Sequence, residues 1–149
     1  MRTCLYSIED LNIDLKAIVE QIKLASYSPE LIISINRGGC IPGIYLSHYL
    51  KVPHKVINVQ LRDGDRNIDI GFQKIFLANK KKVLIVDDIN DTGKTFEEIK
   101  KITENYNCNI KLCALLDNTQ SSQKIDFRGK SINKSIDPLW YIFPWENWW

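Results

Sequence analysis

The sequence predicts a single α/β domain, residues 1–149, in which helices cover a mainly parallel sheet on both faces. The 149 residues are enough to bury a substantial core. Short apolar runs rich in β-branched residues, such as LIISIN and KVLIVDD, alternate with segments of helical spacing. A glycine-containing loop follows each of these two runs. Because ligands bind beyond the carboxyl ends of the strands in such sheets, we expect the functional site at those loops.

The first predicted element is a helix near the N-terminus. Ser7 is placed to cap this helix, and Asp10 lies near its positive end. The apolar residues of one helix face recur at three- and four-residue spacing: Leu11, Leu15, Ile18, Val19 and Ile22. Pro29 follows and ends the segment.

The later elements alternate between strands and helices. The predicted strands cover residues 31–36, 56–61, 82–88, 111–116 and 139–143, and the predicted helices cover residues 41–50 and about 94–106. Pro42 suits the first turn of the helix over 41–50. The polar segment RDGDRN, residues 62–67, predicts an exposed loop.

Composition excludes several classes of protein. The formal net charge of +2 is too small to indicate nucleic-acid binding. The four cysteines form no CxxC pair, which argues against a zinc site and against a disulfide framework. No stretch approaches the roughly 18 apolar residues of a membrane span, and the first residues lack the apolar region of a signal peptide. We therefore expect a cytoplasmic protein that binds neither nucleic acid nor a membrane.

The segment most informative about function is VLIVDDINDTGKTF, residues 83–96. Its apolar strand delivers Asp87 and Asp88 to the edge of the sheet, and a tight loop then enters a helix. These carboxylates suit the vicinal hydroxyls of a ribose, or a metal ion.

The loop DTGKT within this segment has the features of a phosphate site. The N-terminus of a helix presents unpaired backbone N–H groups and the positive end of the helix dipole. Gly93 lets the backbone approach a ligand closely, and the hydroxyls of Thr92 and Thr95 add donors.

Three other patterns explain parts of the segment. Gly93-Lys94-Thr95 ends like a Walker A loop, but Asp88 stands where the first glycine of that motif belongs. The run LIVDD is similar to the acidic start of a response-regulator receiver domain, but too little chain follows Asp88 to complete that fold. A solvated acidic loop explains the two aspartates alone, but not their combination with DTGKT after an apolar strand.

VLIVDDINDTGKTF resembles the signature by which type I phosphoribosyltransferases bind phosphoribosyl pyrophosphate (PRPP). The resemblance implies that Asp87 and Asp88 bind ribose hydroxyls and Mg²⁺, with Asp88 as the metal ligand. It also implies that Asp91 lies near N7 of a purine and handles its proton, so that the catalytic residues are Asp87, Asp88 and Asp91. The 5′-phosphate is expected to bind the loop formed by Asp91, Thr92, Gly93, Lys94 and Thr95.

A second segment, SINRGGCIP, resembles the pyrophosphate loop of the xanthine–guanine and archaeal hypoxanthine–guanine branch of this family. The resemblance implies that Arg37, Gly38 and Gly39 bind PRPP. The planar guanidinium of Arg37 suits pyrophosphate oxygens. Alone, the three residues could equally form a turn with one surface arginine.

A third segment, DPLWYIFPWE, resembles the hood of the same branch. The resemblance implies that Trp140 stacks on the base and that the backbone carbonyl of Tyr141 meets the base edge. It also implies a hood over roughly residues 117–149 and a lid loop over roughly 61–73. Alternatively, at least two of the four tryptophans close a core or a dimer interface.

One position departs from the family pattern. A lysine that commonly contacts the O6 atom of the purine is absent, and Asp117 stands near its place. A carboxylate only accepts hydrogen bonds, so Asp117 either contacts N–H groups of the base or points away while a donor such as Lys124 replaces the lysine. The sequence leaves open which base is used.

The resemblance implies a Mg²⁺-dependent enzyme of purine salvage, of the hypoxanthine, guanine or xanthine type. This enzyme would transfer ribose 5-phosphate from PRPP to the base and release pyrophosphate. A homodimer or homotetramer is usual in the family. The alternative is a non-catalytic regulator of the same fold that binds PRPP or a nucleotide. The presence of Arg37, of the pair Asp87–Asp88 and of Asp91 favours the enzyme.

Overall fold

The computed structural model describes residues 1–62, 65–68 and 79–149, without the side chains of residues 60, 62 and 65–68. The strands are β1 (Arg2–Leu5), β2 (Leu31–Asn36), β3 (His54–Arg62), β4 (Asp65–Ile68), β5 (Lys82–Asn90), β6 (Asn109–Asn118), β7 (Phe127–Ile132) and β8 (Leu139–Ile142). The helices are α1 (Ile8–Leu24), α2 (Cys40–Leu50) and α3 (Lys94–Thr103). Within these ranges, no helix has the length and apolarity needed to cross a bilayer.

Six strands form the main sheet in the order β4-β3-β2-β5-β6-β7. Every neighbouring pair is parallel except β3 and β4, which form an antiparallel pair at one edge. From the central pair, the chain adds β3 on one side of β2, and β6 and β7 on the other side of β5. The direction of winding therefore reverses between β2 and β5, and a crevice opens beyond the carboxyl ends of these two strands.

The central strands are buried on both faces, because their successive side chains enter two different hydrophobic clusters. Along β2, Ile32 packs with α1 and α2, whereas Ile33 and Ile35 pack with α3. Along β5, Leu84 belongs to the first cluster and Ile85 to the second. This alternation follows from the two-residue period of a strand and explains why these strands are continuously apolar in sequence.

A separate two-stranded sheet is formed by β1 and β8, which run parallel and pair Thr3 with Trp140. This small sheet is held to the rest of the domain by Tyr6, whose hydroxyl donates a hydrogen bond of 2.5 Å to Oδ2 of the buried Asp14. The ring of Tyr6 also packs on Phe143, with ring centroids 4.9 Å apart. Tyr6 thus connects α1 to the small sheet, whose strand β8 carries Trp140.

The predicted fold class is confirmed. The strand Leu31–Asn36 has the predicted bounds. The first helix begins after Ser7, which forms a capping box with Asp10. The exposed loop predicted over 62–67 is wrong, because β3 reaches Arg62 and pairs with β4. The lid proposed over 61–73 lies largely outside the described residues.

Candidate active site

The loop between β5 and α3 forms a cavity of about 230 Å³, lined by residues 87–96. Gly93 is the residue before the first turn of α3 and has a φ of +90°, in the region that strongly favours glycine. The helix therefore begins at Lys94 with its N-terminal end directed at this cavity. The predicted phosphate loop, Asp91 to Thr95, has the backbone arrangement that suits an anion.

The loop that contains Ser121 and Ser122 packs against the phosphate loop. Ser122 donates its backbone N–H to the carbonyl oxygen of Thr92 at 3.0 Å. A Cβ atom on Gly93 would lie 2.6 Å from Oγ of Ser121 and 2.5 Å from Oγ of Ser122. Any other residue at position 93 would therefore meet both hydroxyls as well as an unfavourable φ.

The two aspartates at the end of β5 are partly buried. Burial raises the pKa of Asp87 well above its usual range, and the negative charge of Asp88 adds to the effect. Burial likewise raises the pKa of Asp88, to about 6, with a further contribution from the charge of Glu146. Each carboxylate would therefore be stabilised in its charged form by a cation or by hydroxyl donors.

The predicted pyrophosphate loop follows the neighbouring strand, β2, and packs directly against Asp88. A Cβ atom on Gly38 would lie 1.9 Å from Oδ2 of Asp88, and one on Gly39 would lie 2.3 Å from the backbone oxygen of Val86. Glycine is thus required at position 39, where the neighbours are backbone atoms, whereas a side chain at position 38 would displace the carboxylate of Asp88. The peptide bond between Asn36 and Arg37 is cis.

A cavity of about 900 Å³ opens in front of the two loops. The residues that line it include Arg37, Gly38, Asp88, Trp145 and Glu146. The structure therefore brings the basic residue of the pyrophosphate loop and an aspartate of the acidic pair to one cavity.

Asp91 and Trp140 are brought together by a residue that the sequence analysis did not identify. Oδ2 of Asp91 lies 2.8 Å from Nζ of Lys134, which forms an ion pair with it. The same ammonium group lies 5.8 Å from the centre of the Trp140 ring. Trp140 is 53% exposed, so part of its surface is accessible to a ligand. Lys134 precedes the tail motif by only a few residues, but no pattern in the sequence marks it.

Asp117, which was expected either to contact the base or to point away from it, is hydrogen-bonded inside the protein. It is 8% exposed, and its Oδ1 accepts a hydrogen bond of 2.8 Å from Nδ2 of Asn90. Its Oδ2 lies 3.0 Å from Nε of Arg128, within ion-pair distance. Because both carboxylate oxygens are engaged inside the protein, the position does not fit a base ligand. Lys124, the suggested substitute donor, lines a separate cavity beside α3.

The other aromatic residues of the tail divide between packing and exposure. Tyr141 is partly buried and packs against the hydrophobic core. Trp145 stacks on Phe143 at a centroid distance of 4.8 Å. Trp148 and Trp149 are 79% and 84% exposed.

Comparison with known proteins places this arrangement in a family. A family model described as the phosphoribosyl transferase domain matches residues 3–147. The chain therefore belongs to the phosphoribosyltransferase family, as its sequence motifs predicted, and is an enzyme of that class.

Individual relatives agree with this assignment. The chain is 28% identical, over 121 residues, to an adenine phosphoribosyltransferase of Crocosphaera subtropica, covering 72% of this chain and 69% of that protein. It is 30% identical to a purine phosphoribosyltransferase of Pyrococcus horikoshii whose crystal structure superposes with a TM-score of 0.79, covering 99% of this chain and 95% of the other. A xanthine-guanine-hypoxanthine phosphoribosyltransferase of Helicobacter pylori, 23% identical with a TM-score of 0.76, shares the fold over 97% of this chain and 92% of its own.

Proposed function

We propose that the protein transfers a 5-phosphoribosyl group from PRPP to a purine that carries an oxygen at position 6, and releases pyrophosphate. The observation that carries this proposal is the group formed by Asp91, Lys134 and Trp140 beside the phosphate loop. It combines a proton acceptor, a hydrogen-bond donor and an aromatic plane within reach of one planar ligand.

PRPP fits the two loops at the carboxyl ends of β2 and β5. The 5′-phosphate would bind at the N-terminus of α3, where the cavity of about 230 Å³ lies. The ribose hydroxyls would donate to Asp87 and Asp88, and the pyrophosphate would meet Arg37 in the larger cavity. Asp88 lines both cavities, so the two cavities meet where the ribose of PRPP would lie between its 5′-phosphate and its pyrophosphate.

A magnesium ion fits the donor set of this site. Asp88 and Asp87 offer oxygen ligands whose charged forms are disfavoured by burial and would be stabilised by a cation. Within the described residues, no three metal-binding side chains cluster, so an ion would take its other ligands from the substrate and water, as Mg²⁺ usually does. When bound, it would neutralise charge on the departing pyrophosphate.

The ammonium group of Lys134 supports the proposal of a 6-oxopurine as the base. A purine stacked on Trp140 with N7 near Asp91 would bring its position-6 substituent close to Lys134, because that ammonium group lies 2.8 Å from Asp91 and 5.8 Å from the centre of the Trp140 ring. An ammonium group only donates hydrogen bonds, so it favours the carbonyl of hypoxanthine, guanine or xanthine. The 6-amino group of adenine is a donor and would be left facing another donor.

The reaction follows from these positions. A ring nitrogen of the base forms a bond to the anomeric carbon as the bond from that carbon to pyrophosphate breaks, and Asp91 accepts the proton that the base loses. Lys134 compensates the charge of Asp91 before the base is bound. Trp140 holds the ring plane, and Arg37 receives the negative charge of the leaving group.

The test is a steady-state assay of pyrophosphate release from PRPP and Mg²⁺ with hypoxanthine, guanine, xanthine and adenine. We expect turnover with at least one 6-oxopurine and a lower kcat/KM for adenine. Binding of PRPP without pyrophosphate release from any base would contradict the proposal and favour the non-catalytic regulator. Faster turnover of adenine would contradict the assigned role of Lys134.

A further inference from the structure

Asn118 ends β6 beside the proposed base site and is 7% exposed. Its backbone pairs with that of Ile132 at the end of β7. A buried amide side chain must find hydrogen-bond partners for both its oxygen and its nitrogen, because leaving either unpaired is costly. The partners of Asn118 therefore show what this residue holds in place.

The side chain of Asn118 connects the two chain segments that carry the ion pair of the base site. Nδ2 donates to the backbone oxygen of Asp91 at 3.1 Å and to its Oδ1 at 3.4 Å. Oδ1 accepts from the backbone N–H of Lys134 at 3.3 Å and from that of Gln120 at 3.3 Å. Two acceptors on one side and two N–H donors on the other fix the orientation of the amide.

We propose that Asn118 is a positioning residue that sets the distance between the carboxylate of Asp91 and the ammonium group of Lys134, and thereby the affinity for the base. This inference rests on the proposed function. Asp91 and Lys134 lie on separate segments, after β5 and after β7, and Asn118 hydrogen-bonds to both. It uses the second oxygen of Asp91, Oδ1, whereas Lys134 uses Oδ2.

Only an amide satisfies this set of contacts. An aspartate at position 118 would keep the acceptor for Lys134 but would place a negative charge beside Oδ1 of Asp91. An apolar residue would leave the backbone oxygen of Asp91 and the N–H of Lys134 without this partner. The contact with Asp91 thus depends on the N–H donors of Nδ2, which only an amide side chain provides here.

Asn133 provides a matched control from the adjacent segment. Its Oδ1 accepts hydrogen bonds from the backbone N–H groups of Ser135, at 3.0 Å, and Ile136, at 3.3 Å. These contacts use an acceptor, which an aspartate retains. The change from asparagine to aspartate therefore has opposite consequences at the two positions.

The experiment compares Asn118→Asp with Asn133→Asp and the unchanged protein. We measure KM for the best base of the panel, KM for PRPP and the melting temperature. We expect Asn118→Asp to raise the base KM by about tenfold or more, since hydrogen bonds to a charged group are lost, and to change the PRPP KM less than about threefold. Asn133→Asp should leave both KM values within about twofold.

The outcomes separate this inference from the proposed function. No turnover by the unchanged protein would overturn the proposed function and this inference with it. Turnover by the unchanged protein, with equal changes in both KM values or a lower melting temperature alone in Asn118→Asp, would overturn only the role of Asn118. If Asn118→Asp does not fold, Asn118→Ala decides by the same criterion, with an expected increase in base KM of about fivefold.

Discussion

The two sides of the candidate active site are built in different ways. The side assigned to PRPP consists of two continuous loops, each at the end of a buried strand, and its residues are neighbours in sequence. The side assigned to the base joins Asp91, Asn118, Lys134 and Trp140, which lie on four segments and meet only in the folded chain. A site made of loops can be recognised from short motifs, whereas a site made by packing can be recognised only where its residues belong to such motifs.

The two sides of the site also differ in how their carboxylates are paired. On the PRPP side, burial raises the pKa of Asp87 and Asp88, so a bound cation or hydroxyl donor would stabilise their charged forms. On the base side, Asp91 is already paired with Lys134. We therefore expect substitutions on the PRPP side to affect turnover most, and substitutions on the base side to affect the choice of base.

The largest effect on kcat/KM is expected from Asp88→Asn, which changes only the PRPP side of the site. The amide keeps the shape but loses the charge that binds ribose and metal, so kcat/KM should fall about 100-fold. The melting temperature should stay the same or rise, because a charge that burial disfavours is removed. Asp126→Asn, which removes a carboxylate beside Lys111 at the other end of β6, is the control and should keep its activity. Near-normal turnover by Asp88→Asn would refute the assignment of the acidic pair.

Arg37→Ala tests which part of the PRPP side binds the pyrophosphate. Removing the guanidinium should weaken PRPP and pyrophosphate binding about tenfold, since charge-assisted hydrogen bonds are lost. A nucleoside monophosphate lacks the pyrophosphate, so its affinity should change less than about twofold. Isothermal titration calorimetry of both ligands checks this, and an equal loss for both would place Arg37 outside the pyrophosphate site.

The local structure of the two loops on the PRPP side was predicted well, because features close together in sequence determine it. An apolar strand, two carboxylates and a glycine before a helix need no distant partner to form this loop. Its supporting loop was missed, because Ser121 and Ser122 contact the phosphate loop only through tertiary packing.

The base side was predicted only in part. Asp91 and Trp140 belong to motifs, but Lys134 has no signal of its own, and Asp117 was assigned to the base although it pairs with Asn90 inside the sheet. Whether a polar residue at the end of a strand faces a ligand or a neighbouring strand depends on side-chain packing across the sheet, which spacing does not reveal.

Three strands were also missed, for related reasons. β1 has only four residues, and its one strand partner is β8, at the other end of the chain. β4 was read as part of a polar loop. β7 contains Gly129, which weakens a strand pattern; here a Cβ atom would lie 2.3 Å from Cβ of Asp14. Glycine is required by the approach of α1, which the sequence of β7 alone does not show.

A smaller effect concerns stability and pH in Mg²⁺-free buffer. The pKa of Asp88 is about 6 when folded against an ordinary 3.8, so between these values the folded state binds more protons and stability falls as the pH rises. Asp88→Asn lacks this loss, and we expect it to melt about 3 °C higher than the unchanged protein at pH 7.5. The difference should shrink to zero near pH 4. Thermal melts across this range check the prediction, and a difference that is constant with pH would contradict it.

The central claim is that residues brought together by packing select the base, whereas the two loops bind PRPP. It is tested most directly by Lys134→Met. Lys124→Met is the control, because Lys124 lines a separate cavity. The measurement is kcat/KM for hypoxanthine and for adenine, with KM for PRPP. We predict that Lys134→Met lowers the hypoxanthine-to-adenine ratio by at least about tenfold, roughly 1.4 kcal/mol, while the PRPP KM changes less than about twofold. An unchanged ratio in a folded, active variant, or a PRPP KM that rises as much as the base KM, would contradict the account.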